Sequence, residues 1–185
     1  MAEYSIAAGQ VKPAIQCPCT NFGARPAQAD ISLLVIHSIS LPPGQFGGGW
    51  IDRFFANTLD PHQHPYFEDI CSMQVSSHLL IERGGELKQF VNLEQRAWHA
   101  GRSAFNGRTE CNDFSIGIEL EGTDDVPYTD AQYLTLTAVS RAIMVSYPAI
   151  GLDRIVGHSD IAPGRKTDPG PFFDWSRFRA GLTLS

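Results

Sequence analysis

The alternation of apolar and polar residues along this chain separates two kinds of strand. Residues 31–40, ISLLVIHSIS, are almost continuously apolar and rich in β-branched side chains, which is typical of a strand buried on both faces. Residues 113–122, DFSIGIELEG, alternate instead, so that Glu119 and Glu121 lie on the face opposite the apolar set. Because Gly117 precedes Glu119 on that polar face, we expect space beside the carboxylate for a ligand or water.

A hairpin and one further strand follow from the same kind of pattern. Residues 76–92 contain two β-prone runs around Gly84 and Gly85, and glycine tolerates the positive φ of a tight turn. Residues 153–160 predict a short strand that ends in a turn.

Helical spacing is found in two longer segments. Residues 128–148 begin with a capping-box pattern, Thr129 followed three residues later by Gln132, and continue with apolar residues at helical spacing. Residues 174–182 predict a last amphipathic helix, and residues 50–59 a shorter helical segment. Since one long helix lies between two strands, we predict an α/β (mixed α+β) fold with a central mixed sheet covered by helices.

Prolines and glycines mark the segments that we expect to be irregular. Residues 41–50, LPPGQFGGGW, are predicted as a loop, because two prolines and four glycines cannot maintain a helix or a ladder. Residues 60–69 are expected to break the helix before them, and residues 157–171 to hold neither helix nor strand for long. Residues 1–30 are predicted as an irregular lead-in packed on the same domain, with residues 31–185 as the main domain.

Composition and charge narrow the function. The formal net charge is −6 and no segment concentrates Lys and Arg, so nucleic acid is not expected as a partner. No apolar run approaches the ~18–20 residues of a membrane span, and the start of the chain does not read as a secretory signal. We therefore expect a soluble, cytoplasmic protein without a membrane partner. The four cysteines are expected to stay reduced, because thiols do so in the cytoplasm. Cys17 and Cys19 are too closely spaced for a metal knuckle.

Three residues have positions that suit a catalytic zinc site, which takes three protein ligands and keeps one position open. His37 closes the first buried strand, His158 closes the short strand after the long helix, and Asp168 follows in the loop. If the two strands are neighbours, their ends meet. Spacing alone does not decide the matter, since each residue also suits a local structural role, and His62 and His64 form another candidate pair.

Two further residues suit roles beside such a metal. Glu119 would act as general base on a water molecule, although Glu121 competes for that role and a solvated strand edge is the plainer interpretation. Lys166 would supply positive charge to a developing oxyanion, or lie at the surface as an ordinary lysine.

Five segments in a fixed order carry a family resemblance over residues 31–180. Together they resemble the AmpD branch of the N-acetylmuramoyl-L-alanine amidases, zinc amidases related to phage amidase-type lysozymes and peptidoglycan-recognition proteins. The segments are LLVIHSISLPPGQFGGGWID, VSSHLLIERGGELKQFV, RAWHAGRSAFNGRTECNDFSIGIELEGTD, PYTDAQYLTLTAV and GHSDIAPGRKTDPGPFFDWSRF.

The resemblance implies one catalytic zinc ion and assigns side chains around it. The implied ligands are His37, His158 and Asp168. Glu119, rather than Glu121, is implied as the catalytic carboxylate, and Lys166 as the stabiliser of the oxyanion. The implied substrate contacts on the rim of the cleft are Trp98, His99 and Asn112.

The resemblance also implies a reaction. Residues 31–185 would be a zinc amidase domain that hydrolyses the amide between the lactyl group of 1,6-anhydro-N-acetylmuramic acid and L-alanine, during peptidoglycan recycling in the cytoplasm. The substrate would be a small soluble muropeptide and the enzyme a monomer. In relatives this activity also keeps low the muropeptides that induce β-lactamase. A lytic amidase acting on intact wall and a non-catalytic peptidoglycan-binding module are the alternatives.

Three positions depart from the family pattern. Relatives commonly carry Asn where this chain has Ser38, and often carry basic residues where it has Gln74 and Glu110. These differences concern affinity for the substrate or for its peptide stem. The residues implied to bind the metal are all present.

Overall fold

A six-stranded mixed β-sheet forms the centre of the structure, a computed structural model that describes residues 3–183. Within these residues the strands are β1 Ser5–Ala7, β2 Gln10–Lys12, β3 Ile15–Gln16, β4 Phe22–Gly23, β5 Leu33–Ile39, β6 Leu79–Ile81, β7 Leu87–Gln89, β8 Arg96–Ala97, β9 Ala104–Phe105, β10 Arg108–Thr109, β11 Ser115–Glu121 and β12 Ile155–Gly157. The α-helices are α1 Trp50–Phe55, α2 Pro65–Ile70, α3 Asp130–Ser146, α4 His158–Ile161 and α5 Trp175–Thr183.

The strands follow the order β12-β5-β11-β6-β7-β3 across the sheet. The first four are parallel to one another, β7 runs antiparallel to β6, and β3 lies parallel to β7. The two seven-residue strands, β5 and β11, are adjacent, and β11 is buried along its whole length. The predicted α/β class with a central mixed sheet is confirmed.

The two faces of this sheet are covered by different elements. One face is covered by α3 and α5, and alternate residues of the central strands pack against them. This apolar layer contains Leu34, Ile36, Ile116, Ile118, Leu120, Leu136, Val139, Ile143 and Phe178. Because side chains alternate along a strand, His37, Glu119 and Glu121 point to the other face. That second face lies beneath α1, α2 and the connection that contains β8 to β10.

The hairpin and the long helix form as predicted. β6 and β7 pair across a turn in which Gly85 has a φ of 85°. At the start of α3, the hydroxyl of Thr129 accepts a hydrogen bond from the N–H of Gln132, and the Gln132 side chain accepts one from the N–H of Thr129, each at 3.1 Å. The capping box is thus complete. Among residues 3–183 no helix has the length and apolar character needed to cross a membrane.

The N-terminal segment is not irregular, and that prediction is wrong. β1 and β2 form an antiparallel hairpin, β3 joins the central sheet beside β7, and β4 pairs with β8. Val11 is fully buried in the same apolar layer as α3. Strands of two or three residues are too short to show a period of two, so the sequence pattern could not identify them.

The helix before residues 60–69 ends as predicted, at Phe55, but residues 60–69 then form helical turns of their own that were not predicted. Pro65 is the first residue of α2, a position at which proline loses no hydrogen bond. His64 serves as the N-cap, since its Nδ1 accepts from the N–H of Tyr66 at 3.1 Å. One turn earlier, a three-residue 3-10 helix starts at Pro61 in the same way. Proline here begins helices rather than ending them.

Candidate active site

The register of parallel strands brings His37 and His158 together. Gly157, the last residue of β12, lies opposite Ile36 of β5. The next residue in each chain segment is a histidine, and the two Nδ1 atoms lie 3.0 Å apart. The two strands are therefore neighbours, as the metal hypothesis required.

Asp168 returns to the same point from the loop that follows α4. The N–H of Ser159 donates to the carbonyl of Asp168 at 3.0 Å, which closes the loop. The Oδ2 atom of Asp168 lies 3.2 Å from His37 Nδ1 and 3.1 Å from His158 Nδ1. Three potential ligand atoms thus converge on one point.

These three atoms suit a single metal ion. His158 Nε2 lies 3.1 Å from the carbonyl oxygen of Ala100, which can only accept, so Nε2 carries a proton and Nδ1 is the nitrogen that can bind a metal. Burial lowers the pKa of His37 to about 4, so this ring is neutral at pH 7 and offers Nδ1 when Nε2 holds its proton. Two nitrogen lone pairs and a carboxylate oxygen at such distances repel one another unless a cation or a proton lies between them. Metal–ligand bonds of ~2.0–2.1 Å in a tetrahedral site place ligand atoms about 3.3 Å apart, close to the separations found here.

The other candidate histidines take no part in this group. Among the residues that the structure describes, the one group of three potential ligands within 4.8 Å of one another is His37, His158 and Asp168. His64 uses its Nδ1 to cap α2, and His62 is exposed on the preceding 3-10 turn.

Glu119 and Glu121 share one face of β11 but have opposite environments. The carboxylate of Glu121 accepts from the N–H of Gly47 at 2.5 Å and from the N–H of Arg83 at 3.2 Å, so it ties two loops to the sheet. Glu119 is 9% exposed, and its Oε2 atom is buried without a hydrogen-bond partner. Burial, followed by the nearby charge of Asp168, raises the pKa of Glu119 well above its ordinary value. Each oxygen of Glu121 therefore has a donor, whereas Oε2 of Glu119 has none.

An open cleft of about 370 Å³ leads to these groups. Its polar end is lined by Ser38, Glu119, His158, Lys166 and Asp168. Its other wall is apolar and contains Leu41, Pro43, Phe54, Phe55, Tyr66, Ile70, Met73, Val75 and Trp98. Most of this wall was not predicted, because the prolines of residues 60–69 gave no sign of the helix that supplies part of it. The exposed Lys166 and the partly exposed Trp98 thus both border the cleft.

His99 also reaches the cleft, but its ring lies in an unexpected place. A Cβ atom built on Gly117 would be only 2.6 Å from Cγ of the His99 ring. An imidazole therefore fills the position that Gly117 leaves, and the open space beside Glu119 is the cleft instead.

Asn112 does not border the cleft. It is 6% exposed, and its Oδ1 accepts from the backbone N–H groups of His99 and Ala100 at 3.1 and 2.8 Å. It lies behind the rim segment rather than on it, which favours a supporting role over the expected contact with substrate.

Comparisons with known proteins give a consistent result. The sequence pattern of the family described as N-acetylmuramoyl-L-alanine amidase matches residues 27–171. The 1,6-anhydro-N-acetylmuramyl-L-alanine amidase AmpD of Salmonella typhimurium (strain SL1344) is 56% identical over 177 residues, which cover 96% of this chain and 94% of that protein. A crystal structure of a selenomethionine AmpD derivative matches with a TM-score of 0.93 and 55% identity, over 96% of this chain and 99% of that one. The amidase AmiD of Escherichia coli, in complex with the substrate anhydro-N-acetylmuramic acid-L-Ala-D-gamma-Glu-L-Lys, matches with a TM-score of 0.60 and 30% identity, over 96% of this chain and 65% of that one.

The contrast between the two glutamates predicts opposite effects on stability. Glu121→Gln must point its amide NH2 at one of two N–H donors, and we expect a loss of about 1–3 kcal/mol in the free energy of unfolding. Glu119→Gln removes a buried charge that has one oxygen without a partner, so its stability should equal or exceed that of the parent. Urea unfolding of both variants in the presence of a chelator measures the difference. A larger loss for Glu119→Gln than for Glu121→Gln would contradict the environments described above.

Proposed function

This chain belongs to the N-acetylmuramoyl-L-alanine amidase family, and from that premise we propose that it is a zinc-dependent 1,6-anhydro-N-acetylmuramoyl-L-alanine amidase. The bond cleaved is the amide between the lactyl group of the anhydro sugar and L-alanine. The observation that carries the proposal is the convergence of two imidazole nitrogens and a carboxylate oxygen beside the unpartnered Oε2 of Glu119. The names of the full-length relatives and the muropeptide bound to AmiD support the substrate class.

The proposed metal follows from the ligand types. Two neutral imidazoles and one carboxylate are a set that zinc accepts in catalytic sites, and the open cleft leaves a side of the group accessible. His37, His158 and Asp168 would hold the ion. When bound, zinc would polarise the scissile carbonyl and lower the pKa of a water molecule towards ~7.

The proton transfers are assigned to Glu119. Its Oε2 takes a proton from the attacking water, because no group among residues 3–183 donates a hydrogen bond to that oxygen. The same oxygen then delivers the proton to the departing amine of L-alanine. The raised pKa of this buried carboxyl suits both steps, since the group binds a proton more readily than an exposed glutamate does.

Lys166 and the apolar wall complete the proposed site. The Lys166 ammonium borders the polar end of the cleft and would donate to the oxyanion that develops on the carbonyl oxygen. Trp98 and the wall from α1 and α2 would bury the sugar and the first peptide residues. Of the three positions that depart from the family pattern, Ser38 lines the polar end of the cleft, whereas Gln74 and Glu110 are exposed.

The biological setting is part of the same proposal. A small anhydro-muropeptide released during wall turnover is the substrate, and we place the reaction in the cytoplasm, where such fragments are recycled. The enzyme is proposed to act as a monomer, with residues 31–185 carrying the site and residues 1–30 packed on the same domain.

Loss of one ligand should abolish metal binding. We expect one zinc ion per chain in the parent protein and almost none in His158→Ala, because two donors hold a divalent ion far more weakly than three. Elemental analysis after dialysis measures this, and His62→Ala, which alters an exposed histidine outside the group, is the control. Normal hydrolysis by chelator-treated protein would show that zinc has no part in the reaction.

Replacement of the proposed base should separate catalysis from metal binding. Glu119→Gln keeps the shape of the side chain but cannot accept a proton, so kcat should fall about 10²–10⁴-fold while the zinc content is unchanged. Turnover of a soluble anhydro-muramoyl peptide and zinc content are measured on the same preparation. A variant that keeps its turnover would remove Glu119 from the mechanism.

The substrate assignment is tested by comparing two substrates that contain the same type of amide bond. We expect rapid release of stem peptide from soluble anhydro-muropeptide and little release from intact sacculi, because the cleft of about 370 Å³ suits a small ligand. Chromatography of the released peptide gives both rates at equal bond concentration. Comparable rates on sacculi would favour the lytic amidase, and binding without release would favour the non-catalytic module.

A further inference from the structure

The outer nitrogens of the two ligand histidines are both bonded by one short segment. His37 Nε2 lies 2.9 Å from Nδ1 of His99, and His158 Nε2 lies 3.1 Å from the carbonyl of Ala100. His37 lies in β5 and His158 is the first residue of α4, but their outer partners are consecutive residues of the connection after β8. The position of this segment therefore affects the orientation of both imidazole rings.

The hydrogen bonds of His99 are compatible with a His37 ring whose Nδ1 is free for a metal. His99 Nε2 lies 3.2 Å from the hydroxyl of Ser115, which can accept a hydrogen bond from it. In that tautomer His99 Nδ1 is an acceptor, and His37 Nε2–H donates to it. His37 Nδ1 then presents its lone pair to the metal point. The opposite tautomer of His99 would place a proton on His37 Nδ1 and block the site.

The His99 ring has little freedom to leave this arrangement. The missing Cβ of Gly117 makes room for it, and the ring of His78 packs at 5.6 Å on another side. The backbone of His99 is held as well, because Asn112 Oδ1 accepts the N–H groups of both His99 and Ala100. One buried amide oxygen thus anchors the two residues that bond the ligands.

We propose that His99 and Asn112 are positioning residues of the metal centre: His99 orients His37 through its Nδ1, and Asn112 holds the segment that bonds both ligand histidines. The inference rests on the proposed zinc function and deepens it. It also replaces the expectation from sequence that these two residues contact substrate. Both ring nitrogens of His99 already have partners within the protein, so neither is left for a ligand in the cleft.

A matched pair of substitutions tests the role of the His99 nitrogen. In His99→Asn the side-chain oxygen occupies the place of Nδ1 and still accepts from His37, whereas His99→Leu has a similar size and accepts nothing. We expect the Kd for zinc, measured by competition with a chelator, to rise about 10–100-fold in His99→Leu and less than about 3-fold in His99→Asn. Equal affinity in the parent and His99→Leu would overturn the proposal.

Two more variants test the same proposal without changing a ring nitrogen. Gly117→Ala forces the His99 ring to move, and Asn112→Leu releases the segment, so both should weaken zinc binding in the same direction as His99→Leu. Unfolding in the presence of chelator shows whether each variant is folded before zinc is added. Folded Gly117→Ala and Asn112→Leu proteins with parental affinity would overturn the proposal even if His99→Leu does not fold.

A spectroscopic and a kinetic readout separate positioning from contact. In ¹⁵N-edited spectra of the zinc-loaded parent, His37 should show a protected Nε2–H that is retained in His99→Asn and lost in His99→Leu. At saturating zinc, His99→Leu should lower kcat more than it raises KM. A raised KM with unchanged zinc affinity would instead assign His99 to the substrate. Failure of the parent itself to bind zinc would refute the proposed function and not the hydrogen-bond arrangement, so the two failures are distinguishable.

Discussion

The parallel pairing of β5 with β11 and β12 is the constraint on which this site depends. His37 is the register partner of Glu119, and Ile36 is the partner of Gly157. A slip of one residue in β11 would turn Glu119 into the apolar layer beneath α3 and place Ile118 or Leu120 in the cleft. The register is fixed by that apolar layer, where alternate residues of the same strands are fully buried. Packing on one face of the sheet thus aligns the polar side chains on the other face.

Buried polar groups in this protein fall into two classes. Each carboxylate oxygen of Glu121 accepts a backbone N–H, and Oδ1 of Asn112 accepts two. These side chains therefore fasten loops to the sheet. By contrast, the three proposed ligand atoms lie 3.0–3.2 Å from one another, and Glu119 Oε2 has no donor. A buried polar atom without a hydrogen-bond partner lowers the stability of the fold. Such atoms are tolerated where a ligand, a metal or the reaction supplies the partner. Glu121 and Glu119 show this contrast within one strand: the first has a structural role and the second has the proposed catalytic role.

The sequence predicted what depends on local pattern. The strand at residues 31–40, the polar face of residues 113–122 and the cap of α3 each follow from periodicity or spacing within a short window. The meeting of His37 with His158 depends on strand order, which no local pattern specifies, and it was a condition of the metal hypothesis rather than its result. Gly117 shows the limit most clearly. Its place on the polar face was predicted, but the ring that fills the space comes from a segment before β11 whose docking only the folded chain reveals.

The N-terminal segment is part of this same arrangement rather than an appendage. Arg25 donates to the carbonyls of Asn112 and Ser115 at 3.1 and 2.8 Å, and these are the residues that hold the backbone and the ring of His99. Burial lowers the pKa of Arg25 to about 10, so the guanidinium remains charged at neutral pH and keeps all its donors. Arg25 also donates to the carbonyls of Asp113 and Leu93, so it joins the segments on both sides of β8 to β10. The imidazoles of His37 and His158 are therefore linked by a chain of contacts to a residue within the first thirty, so the proposed metal centre is expected to depend on the docking of that segment.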